Sequence, residues 1–192
     1  MEADGKDRPW VLTPLYFERM RSNSATTIVG LLVALSCRTD AQDIPKSQRA
    51  TVTQKVGVAQ LEIIYHRPVA RGRELFGSLV PYDRVWSPSA DTAAIFSTTR
   101  PLTVEGKELA AGKYSIWAIP GKDSWTMIFS SAVPVFHLRY REASDALRAK
   151  VPQKSGDHME TLGFYFPMVD ADSAVLALHW GKTVIPLKIR SR

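Results

Sequence analysis

Residues 111–130 carry the pattern that most constrains the fold, because their side chains alternate between two faces on either side of a turn. On the first arm, Tyr114, Ile116 and Ala118 share one face, whereas Lys113, Ser115 and Trp117 share the other. Pro120 and Gly121 then form a turn signal, and a second alternating arm begins at Trp125. A period of two residues is typical of β-strands, and Pro-Gly is typical of turns. The segment therefore predicts an antiparallel β-hairpin.

Turn signals recur along the rest of the chain at the spacing of a β-sandwich or barrel, roughly every 8–12 residues. We expect an all-β protein, an antiparallel and jelly-roll-like β-sandwich of about nine strands. One strand is predicted at residues 92–98, and Glu105-Gly106 predicts a two-residue hairpin turn shortly after it. Residues 136–150 fit a helix or a strand, and the alternation of Leu147 with Val151 favours a strand.

Two features predict how the chain ends. Gly181-Lys182 indicates a turn that leads into a last strand at residues 183–189. Pro186 lies within that strand and has no amide hydrogen to donate, so the strand is expected at the edge of a sheet.

The first 41 residues resemble an export leader. Arg21 is followed by an uncharged, largely apolar stretch at residues 22–36, which is the length of a signal-peptide core and shorter than a comfortable bilayer span. We interpret residues 1–19 as an extension or misplaced start, residues 20–41 as a signal peptide with a signal helix, and residues 42–50 as a tether. Residues 51–190 would then form the β-sandwich domain.

The single cysteine, Cys37, follows directly behind the apolar stretch. Ala34-Leu35-Ser36-Cys37 resembles a bacterial lipobox, which predicts lipidation of Cys37 and attachment to a membrane; cleavage after Ala41 is the competing prediction. Both routes place the protein outside the cytoplasm, in the periplasm or anchored in the cell envelope. One cysteine cannot form an intramolecular disulfide, so the fold depends on its core alone.

The formal net charge is +6, but lysine and arginine are scattered along the chain. A basic protein favours anionic partners in general, whereas a nucleic-acid site requires clustered basic residues. We therefore expect no nucleic-acid partner. The eleven glycines fall singly at turns, so no phosphate-binding loop is indicated and no cofactor is expected.

Residues 69–91, from Val69 to Asp91, form a connection of unusual length for a compact domain, and long loops are often functional. Arg71 and Arg73 flank a glycine and can present guanidinium groups to a phosphate or carboxylate. The alternative is that they fix the loop through carboxylates such as those of Glu74 and Asp83.

Aromatic residues in and near this loop extend the hypothesis. Tyr82, Trp86 and Trp117 can form a platform for a sugar or lipid, or else a packed plug at one end of the sandwich. The candidate ligand-binding residues are therefore Arg71, Arg73, Tyr82, Trp86, Asp91 and Trp117.

Catalytic and metal chemistry have weaker signals. An acid–base site could be built from His66, Glu74 and Asp91, although no spacing argument joins these residues. His158 and Glu160 lie two residues apart, which places them on one side of a strand, and we interpret them as a surface pair rather than a metal site. We assign no catalytic residue and no metal site.

Several segments resemble a bacterial family catalogued as domain of unknown function 2911. The matching pieces include Tyr65-His-Arg-Pro68, Gly72-Arg73, Leu79-Val-Pro-Tyr82, Val85-Trp86, Ala111-Gly-Lys-Tyr114 and Ile119-Pro-Gly-Lys-Asp123. The resemblance implies an exported, often lipid-anchored envelope protein, and it supplies no reaction or cofactor. After the tryptophan equivalent to Trp86, relatives typically continue with Arg and then Gly-Ala-Asn-Glu, whereas this chain reads Ser87-Pro-Ser-Ala-Asp91.

The function expected from the sequence is that of a non-enzymatic envelope module that binds an unknown ligand or envelope protein through residues 69–91. A hydrolase-type enzyme with its site at the same loop is the first alternative. A purely structural envelope protein is the second, and a flat loop surface without a concave pocket would favour it.

Overall fold

A computed structural model describes residues 46–191. The predicted extension, signal helix, Cys37 and the first residues of the tether lie outside this range. Residues 43–192 form one compact unit, to which all ten strands belong. Within the described part of the chain there is no helix with the length and apolar character of a membrane span.

Ten antiparallel strands form two sheets, which confirms the predicted all-β sandwich. The strands are β1 (Gln48–Val56), β2 (Ala59–Arg67), β3 (Ile95–Thr98), β4 (Leu102–Val104), β5 (Lys107–Leu109), β6 (Gly112–Ile119), β7 (Ser124–Ser130), β8 (Asp145–Pro152), β9 (Lys154–Val169) and β10 (Ser173–Ser191). The larger sheet has the order β1-β2-β3-β6-β7-β8, and the smaller has the order β5-β4-β10-β9. The domain is thus a six-stranded sheet facing a four-stranded one.

The main core lies between the sheets and follows from the alternation of apolar residues. On β2, Leu61, Ile63 and Tyr65 are buried in the core, whereas the residues between them are partly exposed. The buried hydroxyl oxygen of Tyr65 accepts a hydrogen bond from the amide of Phe164 on β9, at 3.0 Å. The pair also packs edge to face, with ring centroids 4.9 Å apart. Such contacts hold the two layers together.

The outer face of the six-stranded sheet is covered in part by residues 131–144, which we call the strap. Trp117 and Ile128 point to this face and are 2% and 0% exposed, with Val135 and Tyr140 of the strap packed against them. The alternation along β6 thus predicts the face of Trp117 correctly. It does not reveal that this face is also buried, because the covering segment has no regular structure apart from a 3₁₀ turn at Glu142–Ser144.

A polar cluster at the end of the strap joins it to β8. The Tyr140 hydroxyl donates to the Asp145 carboxylate at 2.6 Å, and the Arg148 Nε donates to the same oxygen at 2.6 Å. Arg148 also donates to the Tyr140 oxygen at 2.7 Å and pairs with Glu142 at 3.0 Å. Burial, followed by the hydrogen bond to Asp145, raises the pKa of Tyr140 to about 12. The phenol therefore stays protonated, and the cluster intact, near neutral pH.

Two strand boundaries differ from the sequence expectations. The strand predicted within residues 136–150 begins at Asp145, because the residues before it belong to the strap. The strand predicted at residues 92–98 begins at Ile95. The Glu105-Gly106 turn is confirmed, and both residues have the positive φ angles, 48° and 76°, that a type I′ hairpin turn requires.

The predicted turn at Gly181-Lys182 is wrong. β10 runs without interruption from Ser173 to Ser191, and its register with β9 shifts around Gly181, whose φ is 57°. A glycine in a β-bulge and a glycine in a turn look alike in a sequence. The edge position of Pro186 is also wrong, since β10 lies between β4 and β9. Pro186 falls between Val184, the last residue paired with β9, and Ile189, the first paired with β4.

The bulge at Gly181 offers a test of how tightly residues 69–91 pack on the sandwich. A Cβ atom at Gly181 would lie 2.9 Å from the buried Leu75 side chain, whereas a Cβ at Gly106 would meet nothing within 4 Å. Both glycines have positive φ, so Gly181→Ala and Gly106→Ala share a backbone strain of about 1–2 kcal/mol. We expect Gly181→Ala to lose about 1 kcal/mol more through overpacking. Urea unfolding measures both, and equal losses would contradict close packing at Leu75.

Candidate functional site

Residues 69–91, which we call the crossing, are fixed to both sheets. Ala70 donates its amide hydrogen to the carbonyl of Glu160 on β9 at 2.8 Å. Trp86 and Ala118 of β6 exchange two backbone hydrogen bonds, each 2.8 Å long. Leu75 and Val80 are buried in the main core. The predicted long connection thus contains no regular strand, yet its backbone bonds and apolar side chains make it part of the sandwich.

Four aromatic side chains hold the crossing in place, and we call them the aromatic cluster: Phe76, Trp86, Trp125 and Trp180. The Trp86 and Trp180 rings stack in parallel, with centroids 6.0 Å apart and an angle of 6°. Trp125 of β7 meets Trp86 edge to face at 6.0 Å and Phe76 at 5.0 Å. Because Trp125 belongs to the larger sheet and Trp180 to the smaller, the cluster joins the crossing to both layers.

A groove of about 330 Å³ lies between the crossing and the end of the sandwich. Its walls contain three basic residues, three serines and two tryptophans, and none of the wall residues is acidic. The full set is Lys46, Ser47, Pro68, Val69, Arg71, Arg73, Leu79, Val80, Trp86, Ser87, Ser89, Ala90, His137 and Trp180. The crossing surface is therefore concave, which is the form expected of a small-molecule site.

Arg71 and Arg73 of the crossing both donate hydrogen bonds to backbone carbonyls. Arg73 donates through Nε to Ala70 at 2.8 Å and through Nη2 to Val69 at 2.7 Å. Arg71 donates through Nη2 to the carbonyl of Lys46 at 3.3 Å. The sequence suggested Glu74 and Asp83 as anchors, but the acceptors are main-chain oxygens instead. Each guanidinium carries five N–H donors, so both arginines retain donors beyond these bonds.

Glu160 places a carboxylate beside the arginines. Its Oε1 accepts the amide hydrogen of Arg71 at 2.5 Å, and its Oε2 lies 3.0 Å from Nε2 of His158. The hydrogen bond from His158, then that from Arg71 and the charges of His158 and Arg73, lower the pKa of Glu160. His158 and Glu160 thus form the exposed pair that their spacing predicted. No group of three potential metal ligands exists among residues 46–191.

Ser87 gives the groove wall an unsatisfied polar group. Its side chain is 3% exposed, and its hydroxyl oxygen has no hydrogen-bond partner among the described residues. The neighbouring Ser89 is fully engaged, since its hydroxyl donates toward the Thr92 carbonyl at 2.7 Å and accepts from the amide of His66 at 2.9 Å. A buried hydroxyl without a partner costs free energy, and this one belongs to a residue of the groove wall.

The six residues selected from the sequence separate into two groups. Arg71, Arg73 and Trp86 line the groove together. Tyr82 packs on Gly77 of the crossing, and Asp91 is exposed and accepts a hydrogen bond from the amide of His137 through its carbonyl, at 3.1 Å.

Trp117 is far from the role predicted for it. It lies under the strap on the other face of β6, and its indole N–H donates to Ser115 at 2.9 Å. The platform predicted from Tyr82, Trp86 and Trp117 is therefore not assembled. Trp180, rather than Trp117, lies beside Trp86. The alternation of residues along β10 marks Trp180 only as a core residue. Its position beside Trp86 could be recognised only from the pairing of β10 with β9.

The structure does not bond the residues of the alternative acid–base site to one another. Among residues 46–191, no hydrogen bond or ion pair links the side chains of His66, Glu74 and Asp91. His66 lines a separate hollow of about 190 Å³, and its Nδ1 is buried without a partner among the described residues.

Comparison with known proteins gives one match. Residues 47–189 match the family described as "Protein of unknown function (DUF2911)", and the chain belongs to that family. No curated protein and no solved structure matches this chain.

The pKa of Glu160 tests the electrostatics beside the groove. His158→Ala removes the largest cause of the lowered value, so the Glu160 pKa should rise toward its ordinary value of 4.5. It should stay below that value, because the Arg71 amide and the Arg73 charge remain. An NMR titration of the side-chain carboxyl carbon in the wild type and the variant measures the change. An unchanged pKa would show that the pair does not form in solution.

Proposed function

We propose that this member of the family is an exported cell-envelope protein that binds a small anionic ligand, without catalysis, in the groove beside the crossing. The ligand carries a phosphate, sulfate or carboxylate group together with a flat apolar part. The observation that carries the proposal is the composition of the groove, whose walls contain three basic residues and two tryptophans but no carboxylate.

The basic residues supply the recognition of charge. Lys46, Arg71 and Arg73 come from two separate segments and converge on one groove of about 330 Å³. Arginine presents a planar fork of donors that matches the oxygens of phosphate and carboxylate groups. Glu160 lies beside the two arginines but is outside the groove walls, and it reduces the positive potential without reversing it.

Trp86 supplies a surface for the apolar part of the ligand. Its ring is partly exposed, and its other contacts are to buried aromatic rings of the cluster. A flat aromatic face offers a large contact area at little cost in side-chain entropy. Since the ring is already fixed by stacking on Trp180, little ordering is needed when a ligand binds.

Binding rather than catalysis is the better account of the described site. A general base or a nucleophile must lie within hydrogen-bond reach of its partner. His66, Glu74 and Asp91 are not joined by any such contact within residues 46–191. In the groove itself, the Ser87 hydroxyl has no described partner that could act as its base.

The location is proposed from the leader. Arg21 followed by an uncharged apolar stretch, with Cys37 directly behind it, supports export and lipidation. Mass spectrometry of the mature N-terminus tests this: a lipid-modified Cys37 or a chain beginning at Gln42 is expected. An unprocessed N-terminus in a host whose export signals are cleaved would refute the location.

Ligand binding is tested with a purified chain of residues 43–192 and three probes: phenyl phosphate, inorganic phosphate and phenol. We expect phenyl phosphate to bind most tightly, because it alone combines a ring and an anion. It should shift the NMR signals of the Trp86 indole and the Arg71 side chain. Arg71→Glu should weaken binding by about tenfold or more, which corresponds to roughly 1.4 kcal/mol or more.

Lys55→Glu is the matched control, because it reverses an exposed charge on β1 that is not part of the groove. It should leave the affinity nearly unchanged. Equal weakening by both variants would mean that only the net charge matters. Failure of all three probes to shift the groove signals would refute a site for anionic rings.

A further inference from the structure

We infer that the strap docks on the surface of a membrane containing anionic phospholipid, with Phe136 and Leu138 entering the bilayer and Arg139 and Arg141 binding lipid phosphates. This inference concerns the strap, which borders the groove through His137, and it does not rest on the proposed ligand. It also does not depend on a lipid at Cys37.

The first observation is a pair of exposed apolar side chains on one turn. Leu138 is 75% exposed and Phe136 is 49% exposed, and a single residue separates them. Leu138 is the most exposed large apolar side chain among residues 46–191. Apolar side chains in water cost free energy that burial would recover. Adjacent exposed apolar residues therefore mark a surface that meets an apolar environment.

The second observation is the charge around that turn. Arg139 and Arg141 are both exposed, and no ion pair within the described chain uses either side chain. Of the acidic residues close to the turn in the sequence, Glu142 is already paired with Arg148. Asp91 accepts the His137 amide hydrogen through its carbonyl, and its side chain is exposed. The surface is thus basic as well as apolar.

The third observation is that the turn is held out from the body by a rigid base. Tyr140 bonds to Asp145 and Arg148 and packs on Trp117, with ring centroids 5.3 Å apart. At the other end, His137 donates its amide hydrogen to Asp91. The side chains of Phe136 and Leu138 therefore cannot fold back onto the core without breaking these contacts.

Behind the turn lies a hollow of about 600 Å³ that the strap itself lines. Its walls include the apolar residues Val133, Pro134 and Val135 together with the basic residues Arg139 and Arg141. A phospholipid offers a partner to each kind of side chain, since it carries both a phosphate and hydrocarbon chains.

The size of the patch favours a bilayer over a protein partner. A stable protein interface buries about 800 Å² on each side and involves roughly 20–30 residues. Two apolar and two basic side chains on one turn are too few for such an interface. They are enough for an interfacial anchor, because each basic residue near an anionic membrane strengthens binding by about fivefold.

The experiment uses residues 43–192, which contain every described strand and both core clusters and form one compact unit. Sedimentation with vesicles containing about 30% phosphatidylglycerol is compared with sedimentation with pure phosphatidylcholine. We expect binding to the anionic vesicles only, and we expect it to fall steeply between about 0.05 M and about 0.5 M salt.

Two variants locate the surface. Arg139→Glu combined with Arg141→Glu should reduce vesicle binding by about 25-fold or more, since two favourable charges become repulsive. Phe136→Ser combined with Leu138→Ser should reduce it by about tenfold or more, through the lost apolar burial. Val58→Ser is the matched control, because Val58 is 68% exposed in the turn between β1 and β2, and binding should be unchanged.

Three results would overturn the inference: wild-type protein that stays in solution with anionic vesicles, strap variants that sediment like the wild type, or a loss in Val58→Ser as large as in the strap variants. Self-association that depends on Leu138, measured by analytical ultracentrifugation without lipid, would also overturn it in favour of a protein partner. Circular dichroism melting of each variant confirms that the fold is retained.

Discussion

Stacking of Trp86 on Trp180 is the contact on which the site depends, because it joins the crossing to the smaller sheet while Trp125 joins it to the larger one. Aromatic pairs contribute about 0.5–1.5 kcal/mol beyond their buried area, and Trp86 takes part in three such pairs within the cluster. Two backbone hydrogen bonds between Trp86 and Ala118 act at the same point. Without these contacts the crossing would be an unsupported loop, and Trp86 would not be held in the wall of the groove.

The same protein uses a second irregular segment in a different way. The crossing turns apolar residues inward and leaves a concave surface, whereas the strap covers Trp117 and leaves Phe136 and Leu138 outside. Each segment is fixed by side chains of the sheets and needs no disulfide bond. Function in a small β-sandwich is expected in such segments, because the strands provide a rigid support and the connections carry the variable chemistry.

Much of the fold could be predicted from local patterns. The alternation of Leu61, Ile63 and Tyr65 identifies the buried face of β2, and Glu105-Gly106 identifies the turn between β4 and β5, because both signals depend only on neighbouring residues. Gly181 could not be assigned locally, since a bulge and a turn use the same residue for the same positive φ.

Only part of the candidate site could be predicted from the sequence, and the reason is physical. Arg71, Arg73 and Trp86 lie in one segment and could be selected together. Trp180 and Lys46 are distant from this segment in the sequence, and only the folding of the chain brings them to the groove. The prediction for Trp117 was wrong because an irregular segment covers its face. Tertiary packing, rather than spacing, brings these residues together or separates them.

The central claim is that the crossing is a fixed part of the sandwich and not a mobile loop. Amide hydrogen exchange measures this directly at Trp86 and Ala118, which bond to each other across the crossing and β6. If the claim is right, both amides exchange only with global unfolding, and they do so as slowly as amides in the centre of β7. If the Trp86 amide exchanges orders of magnitude faster than those of β7, the crossing opens on its own, and a preformed groove is contradicted.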